Sequence, residues 1–570
     1  MPSHRARVRR CLFSVFLVAV LASGALAPGA GPRGAYAQAA ITSKIDPVLQ
    51  QQMVVDGSRM LPVIVEMAPP PLPFPLHPKV ERAERALDLL RFYGEPVGAL
   101  PIVNGAAGFA NAAGIGLISL APGVAYVHED AVVRPRRSQE PRTFYPPGQL
   151  SAPYPRVVSA DRAWDYGTTG KQVGVAVLDS GVAPDPDLTQ PTNRLVVGAN
   201  FAGPRGSVAD PGGHGTHVAG IVAGNGARSG GEYVGVAPDA RVIDVRVLNR
   251  NGNGRVSSIA AGIQWVIVNR ALYNIRVINL SLGAPARQSY RTDPLAAAVE
   301  IAWKRGLVVV VAAGNDGPQQ GTVQTPGTDP YVITVGATDD LGSVSVSDDE
   351  LAWFSAWGTT YGSASKPDLV APGRRIVSIR TPGSYLDALY ANRVVLAKNG
   401  STYFRLTGTS MSAPMVAGAA ALLLERQPGL TPDQVKAILT GAIQAYGQAS
   451  ATALPDPSAD GAGLLDAYAA ATSPTRGAAN GGLRPSNGLA RALYPVLYGQ
   501  PLVWKDPSRG LTCWSCLFWG TLGWDDGAWD NLNWDAFNWS DGAWDDGAWD
   551  DGAWDRAGWD SLAWDSLTLD

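Results

Sequence analysis

Five short runs, "VGVAVL" (173–178), "VIDVRVL" (242–248), "VINLSL" (277–282), "LVVVVAA" (307–313) and "YVITVGA" (331–337), are almost wholly apolar and alternate with segments of helical period. A strand solvated on one face alternates apolar with polar positions, so runs this uniform predict parallel strands covered by helices on both sides. The expected fold class is α/β, a doubly wound, mostly parallel sheet over residues 157–472. Residues 38–140 carry a second, smaller α/β pattern. There "LPVIVEM" predicts a strand and "KVERAERALDLLRFYG" an amphipathic helix stopped by Gly94, while "ALPIVNGAAGF", "AAGIGLISL" and "GVAYVHEDAVV" predict strand, helix, strand. Polar, proline-rich residues 141–156 read as an exposed linker, as does the Ala/Gly/Pro-rich stretch 473–500.

The first 37 residues differ from everything after them. Arg5, Arg7, Arg9 and Arg10 precede an apolar stretch from Leu12 to Leu26, and Ala35-Tyr36-Ala37 forms a small-x-small cleavage signal before Gln38. This is the pattern of a signal peptide and implies export. The alternative, an uncleaved anchor, needs a longer apolar run of about 20 residues.

Charge is unevenly spread. The formal net charge is −3, but residues 521–570 hold 13 Asp and one Arg, a net of −12 that leaves about +9 for the rest. The densest Arg cluster lies in the leader, so no nucleic-acid footprint is present. Without the leader and its Cys11, two cysteines remain, Cys513 and Cys516 in "TCWSC". That spacing suits a small-loop disulfide, half a metal site or a redox pair, and no thioredoxin-like context surrounds it.

In parallel sheets reactive groups gather at the carboxyl ends of strands. Asp179 closes the strand in "VGVAVLDSGV"; His214 and His217 lie in "DPGGHGTHVAG" and are the only histidines after residue 140; Ser410 opens the apolar helical run "GTSMSAPMVAGAAALL". Singly, each has a bland reading: a turn former, a packed ring, a small residue between helices. Together they supply a nucleophile, a base and a buried acceptor to orient the base, since a serine hydroxyl is inert until its proton is taken. At a helix N-terminus Ser410 also sits where developing negative charge is favoured.

The stretches "VLDSG", "HGTHVAG" and "GTSMSAPMVAG", in the chain order Asp, His, Ser, resemble the subtilisin-like serine peptidases over residues 157–472. The resemblance implies a serine endopeptidase with Ser410 as nucleophile, His214 as base and then acid, Asp179 as its orienter, and His217 as a packing residue. "VVVAAGNDG" matches the family's oxyanion motif and implies that Asn315 donates its amide beside the Ser410 N–H. "RVLNRNGNG" and "VINLSLG" resemble the two segments that sandwich a peptide, which gives Gly252, Asn253 and Gly254 on one side and Ser281, Leu282 and Gly283 on the other. Gln324 stands where the family often has a small residue on the floor of the primary specificity pocket, implying a shallower or more polar pocket. The segment after His214 lacks the Asn-rich calcium loop of many secreted members. The chemistry requires no cofactor; a structural calcium ion is compatible with the family, its ligands unnamed by the sequence. By pattern, 38–140 resembles the family's inhibitory pro-domain, with self-cleavage within about 134–156.

The end of the chain matches none of this. Trp recurs at 524, 529, 534, 539, 544, 549, 554, 559 and 564, followed by Asp in every case except Ser540. A period of five aligns the rings neither on a strand, which alternates faces, nor on a helix, which turns 100° per residue. A stacked solenoid would align them, resembling pentapeptide repeats in period alone; a solvated acidic ending is the alternative. The partners expected are protein or peptide substrates, the chain's own pro-domain, and a cell envelope or glycan at the tail. The rival reading is a surface-binding protein with an inactive peptidase domain.

Overall fold

The computed structural model describes residues 44–68, 79–133, 152–202, 209–359, 361, 364–447, 458–474 and 477–487. These form two compact units that part between Ala131 and Val132. The leader, segment 134–151 and the Trp/Asp tail with Cys513 and Cys516 lie outside the described residues.

In the first unit, helix Pro47–Val55 precedes β1 (Leu61–Met67), helix Lys79–Tyr93, β2 (Glu95–Leu100), β3 (Gly105–Ala110), helix Ala112–Leu120 and β4 (Val124–Glu129). The sheet runs β2-β3-β1-β4 with every neighbour antiparallel. Val63 and Val65 of β1 pack with Leu87, Leu90, Ile115 and Ile118 in one apolar core. Residues 99–109, expected as one strand, are broken by a 3-10 turn at Pro101–Val103 that ends with Asn104 at φ 52°. The strand before the break, "EPVGAL", holds a Pro and a Gly and no alternation, so nothing in it announces β structure.

The second unit opens with β5 (Val132–Val133) and, after short helical turns, β6 (Gly174–Asp179), β7 (Leu195–Asn200), helix His214–Ala223, β8 (Arg241–Arg246), β9 (Gly254–Arg255), helix Val256–Asn269 and β10 (Ile275–Leu280). Next come helix Pro294–Lys304, β11 (Val308–Ala312), β12 (Ile333–Asp339), β13 (Glu350–Leu351), β14 (Leu369–Pro372), β15 (Ile376–Ile379), β16 (Val394–Leu396) and β17 (Thr402–Leu406). Helices Thr409–Arg426 and Pro432–Gly441, β18 (Ile443–Gln444), β19 (Leu464–Leu465) and helix Ala467–Thr472 complete it. In the main sheet strands β7-β8-β6-β10-β11-β12-β14-β19 are parallel throughout, while β13 and β18 run against their neighbours; β15-β17-β16 and β5-β9 form separate antiparallel sheets. The five apolar runs are thus the central strands of a mostly parallel α/β sheet. From β6 the chain passes to the edge strand β7, comes back to β8 beside β6, then crosses to the other side at β10, so the β6/β10 junction is the switch point where such sheets open a crevice.

Helix Thr409–Arg426 is buried at every residue from Thr409 to Leu424, and its small residues allow close approach to the sheet. Residues 477–487 pack on this unit. Asn480 donates to Asp433 at 2.6 Å and to the Tyr331 carbonyl at 3.0 Å, the Tyr331 and Tyr290 hydroxyls donate to the carbonyls of Leu483 and Arg484, and the Asn487 N–H reaches Arg291. The Ser486 N–H meets both carboxylate oxygens of Glu300, at 3.0 and 2.8 Å. Glu300 is fully buried beside buried Asp329; burial first, then the charge of Asp329, raises its pKa well above the usual range, while Asp329 is raised to about 6, chiefly by burial.

Candidate active site

Asp179 is the last residue of β6 and is wholly buried. The turn after it needs Gly181 at φ 109°, where a Cβ would lie 1.8 Å from the Ala209 carbonyl oxygen. His214 begins its helix after Gly213 at φ 86°, a left-handed entry no branched side chain tolerates. The result is a two-oxygen clamp: the Asp179 carboxylate lies 2.8 and 2.9 Å from His214 Nδ1, and the Ser180 N–H also donates to it at 2.7 Å. With Nδ1–H donating to the carboxylate, Nε2 is the basic nitrogen of the ring.

Asp210, which the sequence reading passed over, builds the turn that aims this ring. Its Oδ1 accepts from Ser180 Oγ, Gly212 N and Gly213 N, and its Oδ2 from Thr216 N and Oγ1, at 2.6–3.1 Å. Burial raises its pKa, while those hydrogen bonds oppose the rise. An Asp four residues before His214, ahead of a Gly-Gly pair, is the available signal.

Ser410 is the second residue of its helix and 3% exposed. Its hydroxyl donates to the Ser281 carbonyl at 3.0 Å, and Ser281 Oγ donates back to the Ser410 carbonyl at 2.8 Å. Asn279 Nδ2 holds Ser281 Oγ at 2.9 Å. Asn315 follows β11, and its Oδ1 accepts from Thr409 N and Oγ1, both at 2.9 Å, so its orientation is fixed by the residue next to Ser410. Thr409 Oγ1 also accepts from Gly314 N at 3.1 Å. The tie from Thr409 to Asn315 was not legible in the sequence, because a threonine at a helix start signals no more than a cap.

The structure thus joins Asp179 to His214 and Ser410 to Ser281, and places Asn315 against Thr409. Ser281 and Leu282 directly follow β10, and Gly283 precedes Ala284, whose backbone pairs with Thr325. That pairing brings in Gln324, 2% exposed, whose Nε2 donates to Asp316 Oδ2 at 2.8 Å. Its side chain occupies the space a Cβ would need at both Gly283 and Gly314. Gly252, Asn253 and Gly254 lie on a turn held by Asn249, which accepts from Asn253 N at 3.0 Å and donates to the Asn253 carbonyl at 2.7 Å. Val132 and Val133 pair antiparallel with Arg255 and Gly254.

Residues 170–463, just over half of the chain, match the model of the subtilase family of peptidases. The chain belongs to the subtilase family. Serine protease AprX of Bacillus subtilis is 43% identical over 308 residues, 52% of this chain and 66% of AprX. Subtilisin Savinase of Lederbergia lenta is 36% identical over 313 residues, 55% of this chain and 96% of Savinase. An alkaline protease of Alkalihalobacillus alcalophilus is 35% identical over 353 residues, 62% of this chain and 75% of that protein. The matched domain is that of a serine endopeptidase.

In this subtilase domain His217 is fully buried, its Nε2 facing the carbonyls of Ile376 and Phe404 at 3.2 and 3.0 Å. Burial, with His214 adding to it, drives its pKa down to about 3, so it stays neutral and holds the helix to β15 and β17. Where the sequence lacks an Asn-rich loop, Arg228 serves the local carboxylates: its backbone N–H donates to Asp187 at 2.7 Å and its guanidinium to Asp185 at 2.6 Å. Among the described residues no helix is long and apolar enough to cross a membrane.

Proposed function

We propose that this chain is an exported serine endopeptidase, made as a zymogen, that cleaves peptide bonds through an acyl-enzyme on Ser410. His214 Nε2 takes the Ser410 proton as Oγ attacks the scissile carbonyl, then gives it to the leaving amine; water repeats the sequence to release the acyl group. Asp179 keeps the tautomer and stabilises the imidazolium. Asn315 and the Ser410 N–H donate to the oxyanion, which forms only in the transition state. The observation that carries the reading is the clamp of both Asp179 oxygens on His214 Nδ1 at 2.8 and 2.9 Å. The Ser410 hydroxyl rests on the Ser281 carbonyl, and rotation about its Cα–Cβ bond redirects it toward the ring once substrate excludes water.

Residues 1–37 act as the signal peptide, 38–140 as the inhibitory pro-domain, and the segment near 134–156 as the site of self-cleavage. Supporting this, Val132 and Val133 add a strand to Gly254 and Arg255, as an extended peptide adds to an exposed edge, so the chain at Val133 lies along the segment assigned to substrate. Gly252–Gly254 and Ser281–Gly283 form the walls for the substrate backbone. The Trp/Asp tail places the enzyme at an envelope or glycan surface. Chemistry needs no cofactor. Nothing observed favours the inactive-scaffold rival.

Ser410→Ala tests the assignment. It removes turnover of a casein-like substrate by several orders of magnitude and leaves the precursor uncut, read by activity and by N-terminal sequencing. Normal turnover or normal maturation in this variant would refute it.

A further inference from the structure

The face of the sheet that carries Asp179 also holds an acid that the reaction does not use. In the register of β6 with β8, Val177 faces Asp244, Leu178 faces Val245 and Asp179 faces Arg246. Side chains alternate between the two faces along each strand. A Cβ added at Gly262 would lie 3.3 Å from Val245 Cγ1 and 3.4 Å from Leu178 Cδ2, so helix Val256–Asn269 covers the face away from Asp179. A Cβ added at Gly215 would lie 3.0 Å from that of Asp179, so the helix that begins at His214 covers the other. Asp244 and Arg246 therefore share the face of Asp179, under the His214 helix.

Nothing in the packing of β8 asks for an acid at this place. The register partners of Asp244 are both valines, Val177 and Val197, and the residue is 6% exposed. A backbone hydrogen bond from Val182 reaches its carboxyl, and Oδ1 has no partner. Burial, before anything else, pushes its pKa up to about 8; the Val182 bond and the Arg246 charge pull it down, and the charges of Asp210 and Asp179 push it up. The other charged groups nearby have fixed duties. Asp210 knits the turn before His214, Asp185 and Asp187 hold Arg228, and His217 stays neutral between two carbonyls. Arg246 donates from Nε to the Leu248 carbonyl at 3.3 Å, and β7 brings no charged group. Asp244 is left as the acid whose charge changes close to the working range of a histidine base.

That change bears on the reaction, given the proposed role of His214 as base, on which this inference rests. As Ser410 gives up its proton the ring becomes a cation. A negative charge behind Asp179 stabilises that cation, whereas a neutral carboxyl does not, and burial spares the effect from screening by salt. We propose that Asp244 is a positioning residue for catalysis, a buried acid whose ionisation strengthens His214 as a base through the field it sets at the Asp179–His214 pair.

The pH profile of kcat/KM on a soluble peptide tests this, with each enzyme titrated for active sites so that partial unfolding does not distort the shape. The parent rate rises once as His214 loses its proton, and again around pH 8 as Asp244 ionises. The second rise is roughly three- to tenfold, the effect of one charge acting across a buried gap. Asp244→Asn, which keeps the shape of the protonated acid, retains the first rise and loses the second. Arg246→Gln removes a charge that favours ionised Asp244 and so moves the second rise to higher pH. A parent profile that is level above the first rise, or a second rise that survives Asp244→Asn, overturns the proposal. Should the Asn variant fail to fold, Arg246→Gln decides, and an unmoved second rise overturns it. A parent without the first rise refutes something else, the histidine base itself.

Discussion

Pro414 lies inside the helix that begins at Thr409, and it has no N–H to give the residue four positions earlier. That residue is Ser410, so its carbonyl loses its helical partner, and Ser281 Oγ supplies the hydrogen bond at 2.8 Å instead. Ser281→Ala therefore orphans a buried carbonyl, and denaturant unfolding should show a loss of about 1–3 kcal/mol. Adding Pro414→Ala restores a helical N–H to Ser410, so the double variant loses less than Ser281→Ala alone; strict additivity would contradict the coupling. Gln324 acts at the same scale. Its side chain fills the space between Gly283 and Gly314 and is pinned by Asp316, so on the proposal that it floors the primary specificity pocket, Gln324→Gly should deepen that pocket. The expected result is a gain of roughly tenfold or more in kcat/KM for peptides with a large apolar side chain before the scissile bond, relative to those with a small one. The placement of Asp179 at a strand end and of His214 and Ser410 at helix starts was legible, because apolar runs and flanking glycines mark those boundaries. Asp210 and Thr409 were not, because a buried Asp that knits a turn and a Thr that orients an Asn look, as letters, like ordinary caps.

At the scale of elements, the central strands announce themselves through unbroken apolar runs, whereas β2 and the segment 479–487 do not. β2 is held by backbone pairing, and 479–487 by hydrogen bonds that its backbone and Asn480 make with groups far away in the chain, and composition reports neither. The read of 473–500 as linker missed that Ser486 N–H caps Glu300, and this contact carries a pH signature. Glu300 and Asp329 hold protons in the folded chain that the unfolded chain releases near pH 4. With more protons bound when folded, stability falls as pH rises from about 4 through the Asp329 value of about 6 and on toward the higher value of Glu300. Glu300→Gln keeps an acceptor for Ser486 and removes the charge. Its Tm relative to the parent should rise between pH 5 and pH 8, by roughly 2–4 °C for each kcal/mol relieved. A difference that stays constant with pH would show that the pair does not titrate in this window.

For the whole molecule, the docking of 479–487 sets where the catalytic unit can be cut. A chain ending after Asn487 should keep full activity on a soluble peptide, since the contacts of Asn480, Ser486 and Asn487 remain. One ending at 478 loses all three and exposes the Glu300–Asp329 pair, so its Tm should fall by several degrees even where its initial rate survives. Equal Tm values for the two would mean that the docked segment contributes nothing. The helix that carries Ser410 has a different consequence, one measured in time. Because it is buried from Thr409 to Leu424 against the centre of the sheet, Ser410, the proposed nucleophile, is not displaced by fraying or by a local opening; only the opening of the whole core moves it. The working lifetime of the enzyme in a harsh medium is then governed by the rate of global unfolding, and inactivation and collapse of the core become a single event with a single half-life.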